Sequence, residues 1–134
     1  MARSMIDPNK LVFREEIRDK WFVQTSAEDL QTEGPGSGEY LSTIVTVKTG
    51  SRYEIIDGHH RARAAQIAGE KVPMVSIGEK CYKELKAKDF DDMEIAYAVL
   101  SHYKEYEAAD NLASQFGMRK RGDQAEKAME ETCG

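Results

Sequence analysis

The spacing of apolar and polar positions along this chain changes at Gly78. Before it, apolar residues come in short, largely β-branched runs; after it, they recur every three to four residues. Met5 to Phe13 reads as a short strand broken by Asp7-Pro8-Asn9, then a charged stretch up to Trp21. Ser26 followed by Asp29 has the form of an N-cap with an acid at N3, which predicts a short helix over Ala27–Gln31. Gly34 to Gly38 reads as a flexible surface connection; it has neither the Lys-Ser/Thr of a P-loop nor dinucleotide-fingerprint spacing. Thr43–Thr49 and Arg52–Ile56 flank a Thr49-Gly50-Ser51 turn and predict a hairpin. Asp57-Gly58 ends the second strand. His60–Ala68 is alanine-rich and predicts a helix stopped by Gly69, and Val72–Ile77 is a further strand with Pro73 near its start.

Beyond Gly78, Lys80–Lys88 fits a short helix or irregular chain. Asp89 to Asp92 supplies an N-cap and first-turn acids. Met93, Ala96, Tyr97, Leu100 and Tyr103 then form one apolar face, predicting a helix from about Asp91 to Tyr106. Ala108–Gln115 continues it or forms a second helix ending at Gly117. Met118 to Gly134 is polar, with a basic spot at Arg119-Lys120-Arg121, and reads as a frayed helix or tail.

A chain of 134 residues makes one domain. The expected organisation is a single domain over 1–117, with a core at 4–77, a helical extension at 78–117, and a polar tail at 118–134. No apolar run reaches the roughly 20 residues of a membrane span, and Met1–Lys10 has no apolar signal core, so no membrane partner is expected. Cys81 and Cys133 have no zinc spacing and read as a packed thiol and a tail thiol. A reducing cytoplasm is the default compartment. The 19 Lys+Arg against 24 Asp+Glu give a net charge of -5, spread evenly along the chain, which argues against non-specific coating of DNA.

The chemistry concentrates at Asp57-Gly58-His59-His60-Arg61-Ala62-Arg63. A strand ends and a helix begins at once. Gly58 allows the turn and a close approach by a ligand. The first helical amides have no internal partner and sit at the positive end of the helix dipole, which makes an anion site. His59, His60, Arg61 and Arg63 add cationic character to the same turn and a half, which a phosphate ligand would relieve. Asp57 stands where it could hold Mg²⁺ against phosphate oxygens. The plainer alternative is a solvated helix start with Arg61 or Arg63 paired to Glu54 or Glu70.

Asp57 to Ala65, with Tyr53-Glu54-Ile55-Ile56 before it and Val72-Pro73-Met74-Val75 after it, resembles the phosphate-binding box of the ParB/sulfiredoxin superfamily. Gly58, Arg61, Arg63 and Ala64 keep the ParB frame. Asp57 to Arg61 is identical to the Asp-Gly-His-His-Arg of the free serine kinase branch. His59 stands where sulfiredoxin has its catalytic cysteine, so the resemblance does not imply sulfinic-acid reduction. The resemblance covers about residues 4–77 and implies an α+β fold, a small mixed sheet with helices, here with a C-terminal helical extension. It implies a bound nucleotide, with Mg²⁺ and ATP, ADP or CTP as cofactors. It also implies either phosphoryl transfer to a small hydroxyl substrate, or nucleotide hydrolysis, by a kinase- or NTPase-like enzyme. In the kinase branch a glutamate near the N-terminal strand resembles a general base. Glu15 and Glu16 occupy that stretch here, so the catalytic candidates are Asp57, Glu15, Glu16 and His60. The phosphate-binding candidates are Gly58, His59, His60, Arg61, Arg63 and Arg14.

The chain departs from ParB proteins after the box. Their Glu-Asn-x-Gln-Arg segment and helix-turn-helix domain have no counterpart, so DNA partitioning is not expected. Two alternatives to an enzyme of phosphoryl transfer stand beside it. One is a non-catalytic nucleotide-binding module acting on a protein or DNA partner. The other is a ParB-like nuclease, for which the box offers one acid where two-metal nucleases use several. Trp21, with Phe13 and Phe22, is expected in the core or as a lid over the site, with a base-stacking platform as the alternative.

Overall fold

The computed structural model describes residues 3–133; Met1, Ala2 and Gly134, at the ends of the expected domain and tail, lie outside it. The chain opens with β1 (Ser4–Ile6), a 3-10 turn over Pro8–Lys10 and β2 (Leu11–Val12). Asp7 caps that turn by accepting from the Asn9 amide at 2.9 Å, so the expected break in the first strand is a built corner. Helix α1 (Lys20–Glu33) follows, then a 3-10 turn over Ser37–Tyr40, the hairpin β3 (Ile44–Thr49) and β4 (Arg52–Asp57), α2 (His59–Ala68) and β5 (Val72–Gly78). The five strands form one mixed sheet in the order β1-β5-β3-β4-β2. β3 lies parallel to β5 and antiparallel to β4; the edge pairs are β1 antiparallel to β5 and β2 parallel to β4.

Strand periodicity explains the two cores. Ile44 and Ile55 pack with Ala62 and Ala65 of α2, while their neighbours Val45 and Ile56 pack against the helices of the extension. β3 and β5 are therefore buried on both faces, which is why they read as nearly continuous apolar runs. The expected mixed-sheet α+β fold is the fold observed.

α1 is longer than its sequence suggested. The side chain of Asp19 caps it, accepting from the Phe22 amide at 2.9 Å, and the helix runs through Ser26 to Gly34. Val23, Ala27 and Leu30, at i, i+4 and i+7, bury along it, with Val23 and Ala27 against Ala64 of α2; this burial outweighs the local capping preference of Ser26. Trp21 is 76% exposed, so it belongs neither to the core nor, among the described residues, to the lining of the site below.

The extension comprises α3 (Glu79–Ala87), α4 (Asp92–His102), α5 (Tyr106–Phe116) and α6 (Arg119–Cys133). Asp91 and Glu94 form a capping box at the start of α4, with bonds of 2.8 and 3.0 Å. The single helix expected to Tyr106 is broken at Lys104, whose φ of +63° ends α4 and turns the chain into α5.

The stretch expected as a frayed helix or tail is α6, and it packs on α4. Gly122 lies so close to the ring of Tyr97 that a Cβ would stand 2.6 Å from Cδ1; Ala125 and Met129 are buried beside it. Small residues here replace the large apolar stripe by which packed helices are read from sequence. Both arginines of the basic spot pair within the chain: Arg119 with Asp110 at 3.2 Å, and Arg121 with Glu94 at 3.1 Å and the Asp89 carbonyl at 2.8 Å. The two cysteines are not separate thiols. Cys133 at the end of α6 is disulfide-bonded to Cys81 of α3, a bond that reducing compartments rarely keep. Among the described residues no helix is long and apolar enough to cross a membrane.

Candidate functional site

At the end of β4 the chain must reverse into α2 within one residue. Gly58 does this at φ 104°, ψ 25°, and a Cβ there would overlap Ile44 Cγ2 and stand 2.8 Å from Ile44 Cβ. The first intrahelical bond of α2 runs from the Ala62 amide to the Gly58 carbonyl at 2.9 Å. The amides of His59, His60 and Arg61 precede it and have no partner inside the helix. They open into a cleft of about 710 Å³ that is also lined by Glu15, Glu16, Arg18, Asp57 and Arg61.

Both histidines are spent on shaping this cleft. His59 is buried. Its Nε2 accepts the Arg14 amide at 3.2 Å, and its Nδ1 lies 3.4 Å from Glu15 Oε2. His60 Nε2 accepts from the amides of Arg18 and Asp19 at 3.3 and 3.1 Å, and its ring meets Phe22 edge-on at 6.2 Å. The two imidazoles thus fasten the 14–19 loop across the start of α2 and bring Glu15 and Glu16 to the same cleft as Gly58. Each ring accepts at Nε2, which assigns the proton to Nδ1.

Arg61 lies in the cleft but is held there. Its guanidinium donates to the Ser42 carbonyl at 3.1 Å, the Thr43 carbonyl at 3.4 Å and Asp57 Oδ2 at 3.2 Å. The plainer alternative, Arg61 or Arg63 paired with Glu54 or Glu70, does not occur: Glu70 accepts instead from the Gly38 amide. Arg63 is half a helical turn away. It bonds Gln66, lies 4.3 Å over the Phe13 ring, and lines a separate groove of about 510 Å³ between α1 and α2 with Ile17 and Ile67. Arg14 is also outside the cleft. Its side chain donates to the Tyr82 hydroxyl at 3.2 Å and lies 3.8 Å from Asp92, while Tyr82 donates to Asp92 at 2.7 Å. Of the cations expected to contact phosphate, Arg61 is in the cleft; Arg63 and Arg14 are not.

A sequence model of the ParB N-terminal domain matches residues 4–89. The chain belongs to the ParB N-terminal domain family. Among solved structures, SbnI with C-terminal truncation from Staphylococcus aureus is similar at 16% identity, with a TM-score of 0.46. The similarity covers 65% of this chain and 41% of that one, so the chain spans less than half of that protein. No curated protein matches.

Within this ParB-family chain, the cleft is wider than the family match. Met93 of α4 and Gln115 and Phe116 of α5 line it as well, and all three lie beyond residue 89. Sequence reasoning missed them, along with Arg18 and Ser42; of the three aromatics expected in the core or as a lid, Phe22 lines the cleft and Phe13 and Trp21 do not. Arg18 stood in the charged stretch before Trp21, but nothing in the spacing of α5 signals that its last turn returns to the start of α2.

Asp57 is the acid at the box. Its side chain is 12% exposed, and one of its oxygens is engaged by Arg61. Among the described residues no group of three or more His, Cys, Asp or Glu is placed to hold a metal ion. A single carboxylate oxygen nevertheless suits Mg²⁺, which takes much of its shell from water and phosphate.

Burial lowers the pKa of His59, against the opposing pull of Glu15 and Asp57. A protonated ring would also turn Nε2 into a donor facing the Arg14 N–H. The unfolded chain takes up this proton near pH 6.5 and the fold does so only lower, so stability falls as pH drops below about 6.5. Urea unfolding is expected to show a lower midpoint at pH 5.5 than at pH 7.5. In His59→Gln the difference shrinks; an unchanged difference would assign the acid sensitivity to other groups.

Proposed function

We propose that this chain binds a nucleotide with its phosphates on the opening amides of α2, and transfers or hydrolyses the terminal phosphoryl group there. The observation that carries this reading is one cleft in which unpartnered helix amides, the sterically required Gly58 and the carboxylates of Glu15 and Glu16 come together. The amides and Arg18 attract the phosphates; Arg61 keeps the turn in shape through the Ser42 and Thr43 carbonyls. Mg²⁺, carried in with the nucleotide and held by Asp57, would neutralise phosphate charge.

Glu15 is the better placed base. It is 59% exposed on its side chain and anchored by His59, so it can take a proton from an entering hydroxyl or water. The attacking oxygen forms a bond to phosphorus, its proton passes to Glu15, and the bond to the leaving nucleotide breaks. His60 in this reading positions the loop and does not react.

A second reading, nucleotide binding without turnover by a module that acts on a protein or DNA partner, is favoured by the Asp57–Arg61 pair, which occupies the one acid of the box. Calorimetric titration with ATP, ADP and CTP in Mg²⁺, followed by phosphate-release assays, separates the two. The enzymatic reading expects binding and turnover, with turnover lowered about a hundredfold to ten-thousandfold in Glu15→Gln. Binding with no turnover leaves the module. No binding of any of the three overturns both.

A further inference from the structure

The cleft is two-sided in chemistry. Part of its lining is polar, the start of α2 with Arg18 and Arg61, where a phosphate chain would sit. Part is apolar: Phe22 at the start of α1, Met93 of α4 and Phe116 of α5. Phe116 is 52% exposed and Phe22 39% exposed, although both are large apolar residues with a core to join. An exposed aromatic ring in a cleft offers a face on which a planar ligand ring can stack. The volume, about 710 Å³, is in the range of sites that enclose a whole organic ligand and exceeds what a phosphate group alone needs.

We infer that Phe116, with Met93 in the same lining, is the platform on which the base of the bound nucleotide stacks, and that the helical extension therefore supplies the nucleoside half of the site. This rests on the nucleotide reading above and goes further. The residues that would recognise the base lie beyond residue 89, outside the matched ParB domain. The position of Phe116 is set by the chain around it, because it closes α5 and Gly117 at φ 61° ends the helix right after it. Gln115 next to it carries an amide donor and an acceptor, the pair that the edge of a base requires.

Base and phosphates occupy different parts of the cleft, so ligands with and without a base tell them apart. Titrate the full chain with ATP, CTP and inorganic tripolyphosphate, each with Mg²⁺, for the wild type and for Phe116→Ala and Phe116→Leu. Half-exposed Phe116 lies outside the two cores, so both variants are expected to fold, which circular dichroism checks. Stacking of one base contributes about 1–3 kcal/mol, so Phe116→Ala is expected to weaken the preferred nucleotide roughly 5- to 150-fold while leaving tripolyphosphate unchanged. Phe116→Leu keeps apolar bulk without the ring and is expected to fall close to the alanine variant. Nucleotide affinity unchanged in both variants, or tripolyphosphate bound by the wild type as tightly as the nucleotides, overturns the subsite and leaves the phosphate reading standing. Failure of the wild type to bind any of the three overturns both.

Discussion

Reduction of the Cys81–Cys133 disulfide is expected to cost the fold about 4 kcal/mol. The bond closes a segment with a sequence separation of 52, and loop-closure entropy for that length gives this figure at 25 °C. In a domain of this size the loss corresponds to a fall in melting temperature of roughly 10–20 °C. The location makes the cost visible. α6 is polar over most of its surface and buries only Gly122, Ala125 and Met129, so the disulfide fastens an end that has few apolar contacts of its own. Near the disulfide, Lys88 bonds Thr132 at 2.6 Å, an exposed contact that contributes little. The N-terminal half of α6 has independent anchors in the Tyr97 hydroxyl, which donates to Asp123 at 2.8 Å, and in Arg121. Scanning calorimetry with and without a dithiol reductant, and on Cys133→Ser, measures the loss. Hydrogen exchange in the reduced protein is expected to show the last turns of α6 opening ahead of the rest. An unchanged melting temperature, with two thiols titratable in the unfolded but unreduced chain, would mean that the bond does not form.

The sequence was most legible where local and tertiary preferences agree. Thr43–Thr49 and Arg52–Ile56 are strand-forming residues joined by a glycine turn, and they form that hairpin. His60 to Ala68 is a run of good helix formers ended by Gly69, and α2 has those bounds to within one residue. The Asp57–Arg61 box was legible for the same reason: its glycine is a local necessity of the turn. Reading failed where packing overrode local chemistry. Ser26 looks like a cap and sits inside α1. The polar sequence of α6 hides a helix interface because its contact residues are glycine and alanine. The disulfide joins positions whose proximity only the completed topology sets. For the site, sequence put all the cations of the box in one place, whereas a helix turns 100° per residue and sends Arg63 to another face. The histidines stand among the phosphate candidates because they are cation-capable; in the fold their ring nitrogens accept backbone amides from a loop 41 to 45 residues earlier in the chain. That partnership brings Glu15 to the cleft, and no spacing rule contains it.

Gly58→Ala is expected to damage stability and binding together. Two costs add. The backbone sits at φ 104°, where a side chain meets the carbonyl that follows it, a strain of about 1–3 kcal/mol. The new Cβ also overlaps Ile44 of β3, which is fully buried against α2, adding overpacking of about 1–3 kcal/mol. Gly36→Ala is the matched control. Gly36 has φ 88° but nothing within 4 Å of its would-be Cβ, so alanine there meets the backbone cost alone. The melting temperature of Gly58→Ala should fall below that of Gly36→Ala, and in a double-mutant cycle with Ile44→Ala, which carries its own cavity cost, the coupling should return the overlap cost but not the backbone cost. Binding follows the same geometry. The Cβ would stand 3.0 Å from the Arg61 guanidinium, the group that ties the α2 start to the Ser42 and Thr43 carbonyls, so the amides that face the cleft are displaced with it. Nucleotide affinity is expected to drop more than tenfold in Gly58→Ala and to stay at the wild-type value in Gly36→Ala. Equal melting temperatures in the two variants would show that Ile44 yields to the new methyl group. Retained nucleotide affinity in a folded Gly58→Ala would place the phosphates somewhere other than the start of α2.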